Sequence, residues 1–108
     1  MARKIIQPIC EELKELVAPS NDDVALSQLA DALGHPARVA ILRLLKKREM
    51  CVCGEIVEVL PLAQSTVSQH LKVLKATGWI QGTKDGARVC YCLNPETLKK
   101  FEDLILGI

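Results

Sequence analysis

Residues 64–75 read Gln64-Ser65-Thr66-Val67-Ser68-Gln69-His70-Leu71-Lys72-Val73-Leu74-Lys75, and how these side chains sort around a helix decides the fold. At about 100° per residue, Leu71 and Leu74 fall within about 40° of Val67, so the three make one apolar stripe. Ser65, Ser68, Gln69 and Lys72 fall on the opposite side. That side is rich in hydrogen-bonding groups and holds no acid, whereas an ordinary solvated helix face mixes Glu with Lys. His70 sits about 60° from the stripe, nearer the buried side, so a packed histidine and an outward contact are both open.

Upstream, a short helix over 55–60 is halted by Pro61, and Leu62-Ala63 leads into the polar-faced helix. Ile6, Ile9, Leu13, Leu16 and Val17 recur at helical spacing over 5–17, with Pro8 tolerable only near the start. Asn21, Asp22 or Asp23 is a candidate cap for a second helix with the stripe Leu26, Leu29, Ala30 and Leu33. Gly34-His35-Pro36 opens a third, with Ala37, Ile41, Leu44 and Leu45 inward and Lys46-Lys47-Arg48 at its end.

Downstream of Gly78 the period changes from helical to alternating. Ile80 begins one strand, and Val89, Tyr91 and Leu93 share one face of another. Asp85-Gly86 between them is a hairpin signal. Asn94-Pro95-Glu96 reads as cap, first helical residue and acidic first turn of a last helix with the stripe Leu98, Phe101 and Ile105. The expected fold is mainly α with a small β-hairpin: one domain over 1–108, with a helix-turn-helix at 55–78 and a wing at 79–93. In such a winged helix-turn-helix, Ser65, Ser68, Gln69 and Lys72 would enter a DNA major groove, with Gln suited to adenine edges and Lys to phosphate or guanine. Lys84 and Arg88 flank the hairpin tip, where they would reach the backbone or a minor groove.

Composition narrows the class. A chain of 108 residues, 49% hydrophobic and 3% aromatic, fits one compact domain whose core is aliphatic. That apolar fraction excludes a disordered tail, and no stretch reaches the roughly 20 apolar residues of a membrane span. The amino-terminal residues lack the apolar run of a secretory signal, so the expectation is a cytoplasmic protein without a membrane partner. A net charge of +1 hides its distribution: −3 over 1–33, +5 over 34–88 and −1 over 89–108. The basic block coincides with the helix-turn-helix and wing. Neither His35 nor His70 stands in a nucleophile or glycine-loop context, so a Cys/His hydrolase is disfavoured, as is any other enzyme.

Five cysteines remain: Cys10, Cys51, Cys53, Cys90 and Cys92. An odd count in a reducing compartment is no disulfide framework, and paired thiols there bind soft metals or sense oxidants. Alternation puts Cys90 and Cys92 opposite Val89, Tyr91 and Leu93, so both are expected to face out of the core. A closed four-thiolate zinc site from two Cys-x-Cys pairs fits poorly, since structural zinc favours Cys-x(2–4)-Cys.

Three stretches carry a resemblance: Ala32-Leu33-Gly34-His35-Pro36-Ala37-Arg38-Val39-Ala40-Ile41-Leu42, then Cys51-Val52-Cys53-Gly54-Glu55-Ile56, then Gln64 through Leu74. Over residues 24–94 the chain resembles the ArsR/SmtB family of metal-responsive repressors. The resemblance implies a homodimer joined by the first and last helices (5–17 and 95–107), bound to operator DNA until a metal or metalloid arrives. It extends the recognition helix over Gln64, Thr66 and His70 as well, and makes Lys84 to Arg88 the wing.

The resemblance also locates the inducer site. The family's His/carboxylate site on the last helix is absent, because that helix has no His. The family's Cys-x-Cys before the recognition helix is matched by Cys51 and Cys53, whose thiolates are favoured by a nearby helix N-terminus and by Arg48. Arsenite-responsive members hold As(III) or Sb(III) through three thiolates, the third three residues on; here that position is Ile56. The third ligand must come from Cys10, as in cadmium- and lead-responsive relatives, or from Cys90 or Cys92. Cd, Pb or Zn is the alternative inducer and no organic cofactor is implied, while a redox or persulfide sensor of the same fold would use the same thiols.

Overall fold

A computed structural model describes residues 7–48 and 54–108. Helices α1 (Gln7–Leu16), α2 (Asn21–Ala32) and α3 (Pro36–Arg48) precede a short α4 (Glu55–Val59) and α5 (Gln64–Ala76). Antiparallel strands β1 (Ile80–Asp85) and β2 (Arg88–Leu93) follow, and α6 (Pro95–Leu106) closes the described chain.

The stripe of α5 is wholly inside: Val67 and Leu74 are buried completely and Leu71 nearly so. They meet Leu29 and Ala32 of α2, Ile41 and Leu45 of α3, and Ile56 of α4. Each such side chain contributes about 1.5–3 kcal/mol on leaving water. Helix α5 ends in a left-handed glycine turn. Gly78, at φ 86°, donates to the Lys75 carbonyl while Trp79 N–H donates to that of Leu74. The reversal drops Trp79 into the core at 1% exposure, its indole N–H donating to the Leu29 carbonyl at 3.0 Å. Phe101 of α6 meets that indole edge-on at 5.2 Å. The Thr97 hydroxyl donates to the Gly78 carbonyl at 2.7 Å, tying α6 to the same turn.

Several local expectations shift. The cap of α2 is Ser20, one residue earlier, in a reciprocal box: Ser20 Oγ accepts from Asp23 N–H and the Asp23 carboxylate accepts from Ser20 N–H. Ala32, not Ala30, is the buried alanine of α2, because the helix faces the core through Leu29 and its own last turn. Asn94 and Pro95 start α6 as expected, with Asn94 Oδ1 accepting from Glu96 N–H. Its inward stripe runs through Leu98, Phe101 and Leu104, which leaves Ile105 45% exposed. In the hairpin Asp85 pairs with Arg88, so the turn is Gly86-Ala87, with Gly86 at φ 63°.

Candidate nucleic-acid interface

The turn between α4 and α5 is short, and α5 stands over α2, α3 and α4 with its stripe as the foot. Gln64, Ser65, Thr66, Ser68, Gln69 and Lys72 are all exposed. Ala63 precedes the helix and offers no side-chain cap, and the first turn holds no acid. Its free N–H groups, with the helix dipole behind them, suit a phosphate. Lys84 and Arg88 are exposed on the two strands near the hairpin tip. Lys75 turns away to lie over Gly82, where an added Cβ would stand 3.3 Å from its Nζ, so this glycine lets the wing close on α5.

His70 is the exception among the expected contacts. It is only 7% exposed, so it is a packed histidine and not a groove-facing one. Its Nδ1 accepts from Arg38 Nε at 3.1 Å, and the His35 ring lies 4.4 Å away, centroid to centroid. Burial, then the neighbouring His35 and Arg38 charges, push its pKa below the ordinary imidazole value, so it is held neutral. Sequence reasoning passed over Arg38 as a partner; the 60° offset of His70 from the stripe was the only hint.

The thiols divide three ways. Cys51 and Cys53 lie outside the described residues. Cys10 is a free, half-buried thiol on α1. Cys90 and Cys92 are each disulfide-bonded and neither joins the hydrophobic core cluster that Tyr91 and Leu93 pack on, yet Cys90 is only 4% exposed, so its face is covered rather than open. Alternation sorts a strand into two faces without saying that either is open. Tyr91 and Leu93 do pack on the core, but Val89 near the tip outruns it and is 38% exposed. While bonded, Cys90 and Cys92 offer no thiolate. Among the described residues no three His, Cys, Asp or Glu side chains gather as a metal site.

A two-helix corner with an acid-free outer face, followed by a basic two-stranded hairpin, defines the winged helix-turn-helix class of DNA-binding proteins. Residues 35–81 match the model of the bacterial regulatory protein arsR family. Over 69 residues the chain is 44% identical to the HTH-type transcriptional repressor SmtB of Mycobacterium tuberculosis, covering 64% of this chain and half of that protein's length. It is 36% identical over 73 residues to the arsenical resistance operon repressor of Staphylococcus xylosus, covering 68% of this chain and 69% of that one. HlyU from Vibrio cholerae superposes with a TM-score of 0.67 at 28% identity, covering 80% of this chain and 94% of that one. The chain belongs to the arsR family, whose members named here are transcriptional regulators and not enzymes.

Proposed function

We propose that the protein is a homodimeric transcriptional repressor of the cytoplasm that binds double-stranded operator DNA and is released by a soft metal or metalloid, As(III) or Sb(III) before Cd, Pb or Zn. The observation that carries the DNA reading is the division of α5: its stripe is wholly buried, while Gln64, Ser65, Thr66, Ser68, Gln69 and Lys72 face outward without an acid among them. Gln69 and Ser68 would read base edges, Lys72 a guanine or phosphate, and Lys84 and Arg88 the backbone beside the groove. A dimer is supported by apolar side chains left outside at and just past the ends of the first and last helices: Leu16 is 77%, Val17 73%, Leu106 83% and Ile108 91% exposed. Within the described residues no helix is long and apolar enough to cross a membrane.

For release, the thiolates of Cys51 and Cys53 are the first two ligands, in a position just before α4. Soft thiolates select thiophilic ions over Mg or Ca. The free thiol of Cys10 fits the third place better than the disulfide-bonded Cys90 or Cys92, and the resemblance to an arsenical resistance repressor favours a metalloid. A pull on α4 would re-aim α5 packed behind it, and a coupling of about 1–3 kcal/mol weakens binding roughly 5–150-fold. The test is a duplex-binding titration at reduced thiols with As(III), Sb(III), Cd(II), Pb(II) and Zn(II), repeated in Cys→Ser variants of all five positions. Release by none of the five ions sinks the metal reading.

A second reading rests on the disulfide state of Cys90 and Cys92. In a reducing compartment a disulfide is a signal more often than a staple. Two thiols would pass two electrons and two protons to a cellular oxidant, such as a peroxide or persulfide, and the resulting bond would alter the wing. A mass loss of two hydrogens per bond formed under mild oxidant, coincident with DNA release, separates this reading from metal binding.

A further inference from the structure

The apolar stripe of α5 sets its depth in the core and the face it turns inward, through contacts that carry no hydrogen-bond geometry. One polar contact supplies direction. The Arg38 guanidinium, in the first turn of α3, donates through Nε to His70 Nδ1 in the middle of α5 at 3.1 Å. Its Nη1 also reaches the carbonyl of Ala32, the last residue of α2, at 3.4 Å. A single half-buried side chain thus joins the α2–α3 corner to the helix that faces the DNA.

That contact requires a neutral imidazole. His70 Nδ1 is already an acceptor, so its proton sits on Nε2, which is buried and has no partner among the described residues. A second proton has only Nδ1 to go to, where it would meet the Arg38 N–H head-on. The groups around the ring oppose that charge as well. From α3 comes the Arg38 cation, and from just before it the His35 ring, whose Nδ1 accepts from Ala37 N–H at 3.1 Å. From α2, the Ala32 carbonyl accepts from Arg38 itself. Among the described residues the charges acting on the ring are those of His35 and Arg38, and no acid is among them.

We propose that Arg38 and His70 are positioning residues for DNA recognition: the neutral His70 imidazole latches α5 to the α2–α3 corner through Arg38, and protonation opens the latch and lowers affinity for duplex DNA. The inference rests on the DNA reading above and adds an acid-sensitive input remote from the cysteines.

The probe is a labelled duplex selected by the wild-type protein from a random pool at about pH 7.5, followed by affinity down to about pH 5.5 at constant salt. Wild type is expected to lose affinity progressively as pH falls below 6.5, by up to about tenfold at pH 5.5, the most that one group titrating below 6.5 can give. His70→Asn, whose amide oxygen takes the place of Nδ1 and does not titrate, is expected to give a nearly flat profile, whatever its affinity at the upper pH. His35→Asn is expected to keep the acid-induced loss, with its midpoint moved to higher pH because one group opposing the charge on His70 is gone. A His70→Asn profile that tracks wild type, or a flat one for His35→Asn, overturns the proposal. Nitrogen-15 NMR of the free wild-type protein tests the latch without DNA. The expected result is a His70 ring protonated on Nε2 alone at neutral pH, with the Arg38 Nε–H signal lost as that ring titrates. A signal that survives the titration refutes the latch. Failure to select any salt-sensitive duplex refutes the DNA reading instead, and with it the stated consequence for affinity.

Discussion

Helices α1 and α5 are built on the same plan and meet opposite fates. Each carries an apolar stripe beneath a polar face. In α5 the stripe of Val67, Leu71 and Leu74 is consumed by the chain's own core, and the polar face is left for another molecule. In α1 the stripe itself is left over: Leu13 is 45% and Leu16 77% exposed, and α1 shares no extensive packing with another described element. The polar faces differ too. That of α5 holds no acid, whereas Glu11 and Glu12 stand on α1, with Lys14 held to Glu11 at 3.5 Å. A helix that is complete within its chain offers hydrogen bonds to a partner; one that is incomplete offers apolar area. The first description fits nucleic acid and the second fits a copy of the same chain.

The largest effect should separate the two stripes by stability. Leu74→Ala removes a completely buried side chain and is expected to cost about 2–5 kcal/mol in urea unfolding. Leu16→Ala, at micromolar protein or below, is expected to stay within about 0.5 kcal/mol of wild type. Equal costs would mean that α1 is packed within its own chain, and the contrast would collapse.

Next in size is association. Leu16→Glu places a charge on the exposed stripe and is expected to weaken the dimer at least about tenfold in sedimentation equilibrium, or about 1.4 kcal/mol. Its unfolding midpoint in dilute solution should hardly move. An unchanged monomer–dimer balance would put the interface elsewhere.

Stability against pH probes the inside of α5 directly. The pKa of His70 is lowered in the folded state, so the unfolded chain binds the extra proton more readily. The stabilisation is therefore complete above the ordinary imidazole pKa of 6.5 and is lost as pH falls below it. His70→Asn should flatten that limb of the unfolding curve, and an equally steep limb in the variant would show that another group sets it.

These contrasts also mark how far the sequence alone carries. The α5 stripe, the hairpin and the Asn94-Pro95 start of α6 were legible because each is a local pattern with its own physical cause. The buried Trp79 and the Arg38–His70 bond were not, since each joins residues far apart in the chain: Trp79 bonds Leu29 fifty positions away, and His70 bonds Arg38 thirty-two away. The burial of Cys90 was not legible for a related reason. Alternation places a side chain on a face, and only packing says whether that face is covered. The exposed recognition face was legible by elimination, from the missing acids.

The smallest expected effect is a labelling rate, and it ties the free thiol to the incomplete helix. At about 100° per residue, Cys10 falls within about 60° of Leu13 and about 20° of Val17, so it shares the stripe that a second copy would cover. It is already half-buried in the single chain, which limits the protection that association can add. In a variant with the other four cysteines changed to serine, alkylation of Cys10 by iodoacetamide should slow several-fold as protein concentration rises through the dimer dissociation constant. Adding Leu16→Glu should abolish that concentration dependence while leaving the dilute rate unchanged. A rate that ignores concentration in both variants would place Cys10 outside the dimer interface, and a third thiolate donated by Cys10 across subunits would lose its geometric support.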